Sequence, residues 1–335
     1  MESSDPARRE GQIGKMTDKK KILALLCENR NNSMSAENIA EKANTANDDV
    51  KDAILFFRKK GIIIEEYPGP EYLITDDGIL SVSAEKCRES SGMTFEYGEI
   101  DSTNLCAKRL FADHAADFGT LITARSQTAG RGRLGRSFYS PADTGLYMSV
   151  ILNADPSGEI PVTTLSATAA VAVSETLEEF FPAIVPKIKW VNDIYIGGKK
   201  VCGILCEGIV DPVLQRITAA VVGIGVNIST ASFPDSISET AGSVGSALIP
   251  NSIIAAAICD RLTALAACRD TNAVIDEYLK RSMVIGKRIR YAQPDRQFCT
   301  GEAIGVDRFG GLIVREDRSG EITVLSTGEI TLRLE

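Results

Sequence analysis

The sequence predicts an α+β protein in three parts: a helical head with a hairpin, a large mixed sheet, and a small all-β tail. Three observations carry that prediction. Residues 19–74 hold three stretches of helical periodicity and then two short strands around Pro68-Gly69. From Met93 onward many apolar runs alternate with few helical ones, which favours a mixed sheet over a doubly wound parallel one. Beyond Ile285 only short strands and turns remain. At 335 residues the chain can bury a large core and divide into two or three domains.

Residues 1–16 are polar and are expected to form a disordered N-terminus. In "KKKILALLCENR", Ile22, Leu23, Leu25 and Leu26 share one helical stripe. "SAENIAEKAN" is a second helix with Ser35 as N-cap, although Asn38 stands where an acid or Gln is preferred. "NDDVKDAILFFRKKG" puts Val50, Ile54 and Phe57 at helical spacing and stops at Gly61. "IIIEEYPGPEYLI" then gives two strands. Three helices followed by a hairpin make a winged helix-turn-helix pattern over residues 17–80. A polar linker is expected over 81–92 and a mixed-sheet domain over 93–284. The strands of that domain are "GTLITA", "TGLYMSVIL", "PKIKWVNDIYI", "KVCGILCEGIV" and "ITAAVVGIGVNI". Its helices are "STNLCAKRLFADHA", "TTLSATAAVAVSETLEEFF", "NSIIAAAICDRLTALAACRD" and "AVIDEYLKRSM". "KRIRYA", "FCTGEAIGVD", "GLIVRE" and "EITVLSTGEITLRL", with turns at Arg308–Gly311 and Ser319-Gly320, predict a small β-barrel over 285–335.

Composition removes several function classes. The net charge is −8, so the chain is no general polyanion binder and any basic patch is local. Cys202 and Cys206, the closest of the eight cysteines, lie in an apolar run without paired metal spacing. Reduced core thiols in a cytoplasmic protein are the expected state. The one histidine, His114, sits beside Asp113 in a polar stretch and is expected at the surface. That removes nearly all histidine-dependent catalytic and metal triads. "MESSDPARREGQIGKM" lacks the apolar region of a signal peptide. No charge-free apolar run reaches the roughly 18–20 residues of a membrane span, so no membrane partner is expected.

"TAGRGRLGRS", Thr128–Ser137, alternates glycines and arginines between two strand candidates. Gly130 to Ser137 comes one residue short of a Walker A loop, because Arg136 stands where Lys is needed. Pro141, Asp143 and Gly145 then predict a turn, whereas a P-loop requires a helix. An RNA-binding arginine–glycine tract would be longer, repetitive and outside a fold. Glycines let the backbone approach a ligand, and arginines offer planar charged forks to phosphate or carboxylate. The segment therefore reads as an anion-holding loop or as a solvated one. In "KWVNDIYIGGKKVCGILCE", a Gly197-Gly198 hairpin turn should gather Asn192, Asp193, Lys199 and Lys200 at one end of the sheet. That set suits a metal-bound nucleotide, and a solvated hairpin tip is the alternative. "GIGVNIS" lacks the third glycine of a dinucleotide fingerprint, and Pro234 soon blocks a helix. "IDSTN" is an N-cap signature and by itself nothing more.

Taken in order, these blocks resemble the biotin protein ligase family in its long form, with an N-terminal DNA-binding domain as in the bifunctional ligase/biotin operon repressors. The likeness covers nearly the whole chain: the winged helix, "DSTN", "QTAGRGRLGR", "KWVNDIYIGGKKVCGILCE", "GIGVNI", and a terminal barrel ending "GEITLR". It implies a central sheet of the class II synthetase-like biotin/lipoate ligase type and a C-terminal SH3-like barrel. The implied reaction has two steps. The biotin carboxylate attacks the α-phosphate of ATP, pyrophosphate leaves, and biotinyl-5′-AMP stays bound. A lysine of a biotin carboxyl carrier domain of a carboxylase then attacks the mixed anhydride. ATP, Mg2+ and biotin are thus the implied small molecules, and operator DNA and a ligand-induced homodimer the further implied partners.

The resemblance also assigns residues. It implies that Ser102, Thr103, Asn104 and Gln127 lie at the ureido end of biotin or close the pocket. Gly130, Arg131, Gly132 and Arg133 belong to the loop that orders over biotin and phosphate, and Gly203, Leu205 and Gly223 line the pocket. Lys200 matches the lysine that contacts the biotin carboxylate and the α-phosphate, and with Arg131 and Arg133 forms the catalytic set. Phe138, Asn192, Asp193, Asn227 and Arg333 are assigned to the nucleotide, with Asp193 also toward Mg2+. Lys51, Arg58 and Lys59 are the candidate DNA contacts, although Asp48, Asp49 and Asp52 on the same helix would repel phosphate. The sequence departs from the family pattern at Leu134 (Arg in some members), Phe138 (Trp in some) and Val191 (usually Pro). A DNA-binding biotin sensor with weak ligase activity is the alternative reading. A lipoate ligase is disfavoured by "GRGRLGR".

Overall fold

In the computed structural model the described residues are 21–22, 25–26, 29, 32–59, 64–67, 71–74, 94–153, 162–211, 214–245, 249–268, 270–292, 298–326 and 330–332. The expected disordered N-terminus and the expected linker lie outside them. Backbone contacts divide the chain into Met1–Glu89 with Ser246–Ala256, and Ser90–Gly245 with Ala257–Glu335.

The first unit holds β1 (Met34–Ser35), α1 (Ala36–Ala43), α2 (Asn47–Lys59), β2 (Ile64–Tyr67) and β3 (Glu71–Ile74). Ser35 caps α1 as expected, since the Asn38 N–H donates to its hydroxyl at 3.2 Å. Ile22 and Leu26 of the first expected stripe and Val50 and Ile54 of the last are buried, as are Ile39, Ile64 and Tyr72. β1 was not foreseen. Its two residues pair with Tyr72 and Glu71 and make a three-stranded antiparallel sheet of order β1-β3-β2.

The second unit is built on seven strands: β4 (Thr94–Ile100), β5 (Leu121–Gln127), β6 (Gly145–Asn153), β7 (Lys187–Lys189), β8 (Asp193–Ile196), β9 (Lys199–Asp211) and β10 (Arg216–Asn227). Their order is β4-β5-β6-β10-β9-β8-β7. β4 and β5 run parallel and the other pairs antiparallel, so the expected mixed sheet is present. One expected strand is two. "PKIKWVNDIYI" turns back on itself at Trp190–Asn192, and β7 pairs with β8 through Ile188 and Ile194. Apolar content alone cannot separate one long strand from a tight hairpin of two.

α3 (Thr103–Ala112) crosses β5, β6 and β10, and buries Cys106 and Ala107 against Ile122, Ile151 and Val221. α4 (Val162–Phe180) packs on β9 and β10, where its Ser166 reaches Cys206. Burial pushes the Cys206 thiol up to about 12 and raises Cys202 too, which favours the neutral thiol at both. No disulfide joins the described cysteines. His114 is exposed, as expected. α5 (Asn251–Ala267) and α6 (Thr271–Arg281) complete the helices, and none of the described helices is long and apolar enough to cross a membrane.

The tail forms β11 (Arg288–Ala292), β12 (Phe298–Val306), β13 (Leu312–Glu316), β14 (Ile322–Leu325) and β15 (Ile330–Leu332), antiparallel in the order β14-β13-β12-β11-β15. The strands fall where they were expected, but no pairing among the described residues closes them into a barrel.

Arg281 ties α6 to α4. Its Nε and Nη2 donate to Glu178 at 2.9 and 2.7 Å, and its Nη1 donates to Glu277 at 2.8 Å. The Glu178 hydrogen bonds hold the guanidinium above its ordinary range despite partial burial. Arg281→Met leaves the Glu178 carboxylate without its cation, whereas Glu277 keeps Lys280, and is expected to cost about 2 kcal/mol. The urea midpoint followed on Trp190, the single tryptophan, measures it. A midpoint equal to wild type contradicts the role.

Candidate active site

A cavity of about 300 Å³ opens over the centre of the large sheet. Its floor is the stretch of β9 and β10 where Gly203 faces Gly225 and Leu205 faces Gly223. The glycines are required by close approach. A Cβ at Gly223 would collide with the Asn104 amide, and one at Gly225 with the Phe138 ring. A Cβ at Gly203 would come 3.1 Å from the same ring and 3.4 Å from Lys200 Nζ.

One end of the cavity is lined by neutral, extensively hydrogen-bonded side chains. The Thr103 N–H at the start of α3 donates to Gln127 Oε1 at 3.0 Å, and Gln127 Nε2 donates to Ser140 Oγ at 2.9 Å. Asn104 Nδ2 donates to Glu207 Oε2 at 2.8 Å and to the Leu205 carbonyl at 3.2 Å. Ser149 Oγ donates to Asn104 Oδ1 at 2.6 Å. Lys108 Nζ meets the other oxygen of Glu207 at 2.6 Å. Burial pushes the Glu207 carboxyl up, but hydrogen bonds from Lys108 and Asn104, with the charges of Lys108 and Arg131, outweigh it and hold the group below its ordinary value. Ser102 corrects the N-cap reading. It stands at the cap position of α3 without a capping side-chain bond, and its own N–H donates to Asp101 Oδ1 at 2.7 Å.

The other end is cationic. Arg131, Arg133, Arg136, Lys189 and Lys200 line it, and Asp193 is the one carboxylate among the described lining residues. The Gly197-Gly198 turn does what the sequence suggested for three of its four polar residues, Asn192, Asp193 and Lys200. Both glycines have positive φ (58° and 80°), and Lys200 Nζ lies 2.7 Å from Asp193 Oδ1. Asn192 is pinned, donating to the Ile204 carbonyl at 2.7 Å and accepting from Arg133 Nη1 at 3.4 Å. Its backbone carbonyl also accepts from the Ile204 N–H at 3.0 Å, so the turn carrying buried Val191 is tied to β9. Lys199 leaves the group, because it is exposed and its Nζ lies 3.4 Å from the Ser238 carbonyl.

The arginine–glycine segment folds back over this end. Arg131 bridges Ser137, the Gly132 N–H donates to the Arg136 carbonyl at 2.7 Å, and the Phe138 N–H donates to the Gly130 carbonyl at 2.9 Å. Leu134 sits at the tip in the left-handed region (φ 56°). The third wall is Trp190, whose Nε1 donates to the Gly310 carbonyl at 2.9 Å and so fastens the pocket to the β12–β13 turn.

Most expected site residues meet here. Ser102, Thr103, Asn104 and Gln127 line the neutral end, and Gly203, Leu205 and Gly223 the floor. Arg131, Gly132, Arg133, Phe138, Asn192, Asp193 and Lys200 line the rest. Gly130 does not line the cavity but leaves room for the Phe138 carbonyl and Ser140 beneath the loop. Asn227 does not line it either, since its buried side chain donates to the Gly242 carbonyl at 3.0 Å. Arg333 and the Lys59 side chain lie outside the described residues.

The DNA candidates fare differently. Lys51 is exposed, 3.5 Å from Asp48. Arg58 is committed within its own unit, donating to the Ile64 carbonyl at 3.0 and 2.7 Å and to Glu66 at 2.8 Å. It therefore ties α2 to β2. Lys189, Trp190, Met148 and Gly225 line the cavity without having been singled out. Glu207 was also missed, although a lone acid inside the apolar run "VCGILCEGIV" is a signal that could have found it. No group of three or more potential metal-ligating side chains occurs among the described residues.

Known proteins share sequence and fold with this chain. Residues 98–227 match the Biotin/lipoate A/B protein ligase family, and residues 284–333 the Biotin protein ligase C terminal domain. The chain is 34% identical over 238 residues to the bifunctional ligase/repressor BirA of Bacillus subtilis, covering 69% of this chain and 72% of that one. It is 26% identical over 322 residues to BirA of Escherichia coli, covering 93% and 96%. Among solved structures, the biotin protein ligase of Aquifex aeolicus in complex with biotin and ATP superimposes with a TM-score of 0.59 at 26% identity, over 72% of this chain and 99% of that one. The fold and the site define a ligase-type enzyme. The chain belongs to the biotin protein ligase family.

The tight seat of Asn104 on β10 gives a direct test. Gly223→Ala is expected to destabilise the protein by about 1–3 kcal/mol through overpacking, read from the urea midpoint. An unchanged midpoint contradicts the close approach.

Proposed function

We propose that this chain is an ATP-dependent biotin–protein ligase that makes biotinyl-5′-AMP and transfers the biotinyl group to a lysine of a biotin carboxyl carrier domain. The observation that carries this reading is the polarity of one cavity, neutral and hydrogen-bonding at Asn104 and Gln127, cationic at Arg131, Arg133 and Lys200. Biotin has the same polarity, with a neutral cyclic urea at one end and a carboxylate at the other.

With the urea at the neutral end, the carboxylate reaches Lys200. In the first step a carboxylate oxygen bonds to the α-phosphorus and the bond to pyrophosphate breaks. Lys200 holds the two anionic groups together, and Arg131 and Arg133 offset charge on the phosphates. In the second step the neutral amine of the acceptor lysine bonds to the acyl carbon, the acyl C–O bond to phosphate breaks, AMP leaves, and the nitrogen gives up a proton to solvent. Neither step needs a histidine. Phe138 offers a ring face to adenine or biotin. Mg2+ commonly takes one or two carboxylates plus phosphate oxygens, so Asp193 fits an ion that arrives on ATP and neutralises phosphate charge.

We further read residues 17–80 as a winged helix-turn-helix domain, 93–284 as the catalytic domain and 285–335 as an SH3-like barrel. The names of the BirA relatives support a second role as a biotin-responsive repressor. The acids of α2 and the internal commitment of Arg58 argue for ranking it behind the ligase. ATP use and neutral thiols suit the cytoplasm.

The test mixes the protein with ATP, Mg2+, biotin and a carrier domain, and follows pyrophosphate release and mass gain on the carrier. Both signals are expected. Lys200→Ala should slow adenylation by about 100-fold or more, and a near-normal single-turnover rate contradicts its role. Arg133→Gly should release biotinyl-AMP and label bystander lysines, and labelling confined to the carrier counts against that assignment.

A further inference from the structure

We propose that Glu207, anchored by Lys108, locks Asn104 as a hydrogen-bond acceptor and so makes the neutral end of the cavity selective for a ligand with ring N–H donors. The inference rests on the biotin reading and adds to it a positioning pair that does not itself line the cavity.

The argument is one of donor and acceptor inventory. The Asn104 amide nitrogen carries two hydrogens, and its two partners, the ionised Glu207 carboxylate and the Leu205 carbonyl, can only accept. Nitrogen must therefore face them. Oxygen must then face Ser149, whose hydroxyl donates to it at 2.6 Å. Asn104 has no hydrogen left for a ligand and one oxygen lone pair still to offer. The Gln127 oxygen accepts from both the N–H and the hydroxyl of Thr103 while its nitrogen donates one hydrogen to Ser140, so Gln127 has no lone pair left for a ligand N–H and that role falls to Asn104.

Asn104 is 3% exposed, so a ligand group that cannot donate leaves that lone pair buried and unmatched. A cyclic urea supplies the missing N–H. A dithiolane ring or a second carboxylate supplies none. Charge keeps the lock in place, because Lys108 and Asn104 lie one helical turn apart on α3 and Glu207 grips both. Removing Glu207 frees the amide to turn over and present N–H to the ligand instead. The pair also holds α3 to β9, so a purely structural role has to be separated from this one.

The experiment measures KM for biotin and for ATP in biotin-dependent pyrophosphate release by the full chain. Calorimetry compares biotin with an analogue methylated on its ureido nitrogens. Wild type should prefer biotin strongly. Glu207→Ala should raise KM for biotin about 10- to 100-fold, leave KM for ATP unchanged, and erase the preference over the methylated analogue. Glu207→Gln, whose carbonyl can still accept from Asn104, should restore most of it. Lys108→Met loosens the anchor alone and should shift both readouts in the same direction, which keeps the test open if Glu207→Ala fails to fold. An unchanged KM for biotin, or KM values for biotin and ATP rising together, overturns the proposal. Wild type that binds biotin but accepts the methylated analogue equally sinks this inference alone. Wild type that binds no biotin sinks the ligand reading itself.

Discussion

The site depends on side chains that are left out. A sheet face normally fills with them, and a ligand cavity on that face needs bare backbone. Gly203, Gly223 and Gly225 supply it on two adjacent strands. Because the floor is bare, Asn104 can come down from α3 and Phe138 from the arginine–glycine loop until both rest against β9 and β10. Those strands are long, central and flanked by β6 and β8, so the floor is held by ladder hydrogen bonds on both sides. Precision at the site is thus inherited from the most constrained part of the fold.

Two chemistries then share the floor. At the neutral end nearly every polar atom is already matched, which makes recognition a question of the few lone pairs left over. At the cationic end Asp193 and Asn192 engage Lys200 and Arg133 and keep their heads converging. Five cations against one carboxylate among the described lining residues suit an anionic ligand. The segment "TAGRGRLGRS" is the most conspicuous stretch of the sequence because it must be both flexible enough to double back and charged enough to meet phosphate.

Features fixed by local rules were legible in the sequence. The Ser35 cap, the Gly197-Gly198 turn and the Asp193–Lys200 approach follow from spacing and turn chemistry within a few residues. The alternation of strands and helices followed from apolar periodicity. What could not be read joins residues far apart in the chain. Trp190 bonds Gly310, Arg281 bonds Glu178, and Glu207 reaches Lys108 and Asn104 on a helix about a hundred positions earlier. Arg58 is a different case, since it looks like a free basic residue in sequence although the partners it is spent on, Ile64 and Glu66, lie only six and eight positions on. The hairpin of β7 and β8 was read as one strand because nothing in "PKIKWVNDIYI" marks the turn with Gly or Pro after the first residue.

Trp190 is the single tryptophan, is 4% exposed and lines the cavity, so it reports occupancy without a label. The most direct measurement is its emission during a biotin titration, repeated with ATP present. A saturable change with biotin that is abolished when the floor is filled by Gly223→Leu, in a variant whose circular dichroism matches wild type, is the predicted result. Biotin that binds calorimetrically while Trp190 stays silent, or that binds Gly223→Leu as well as wild type, would contradict the assignment of this cavity.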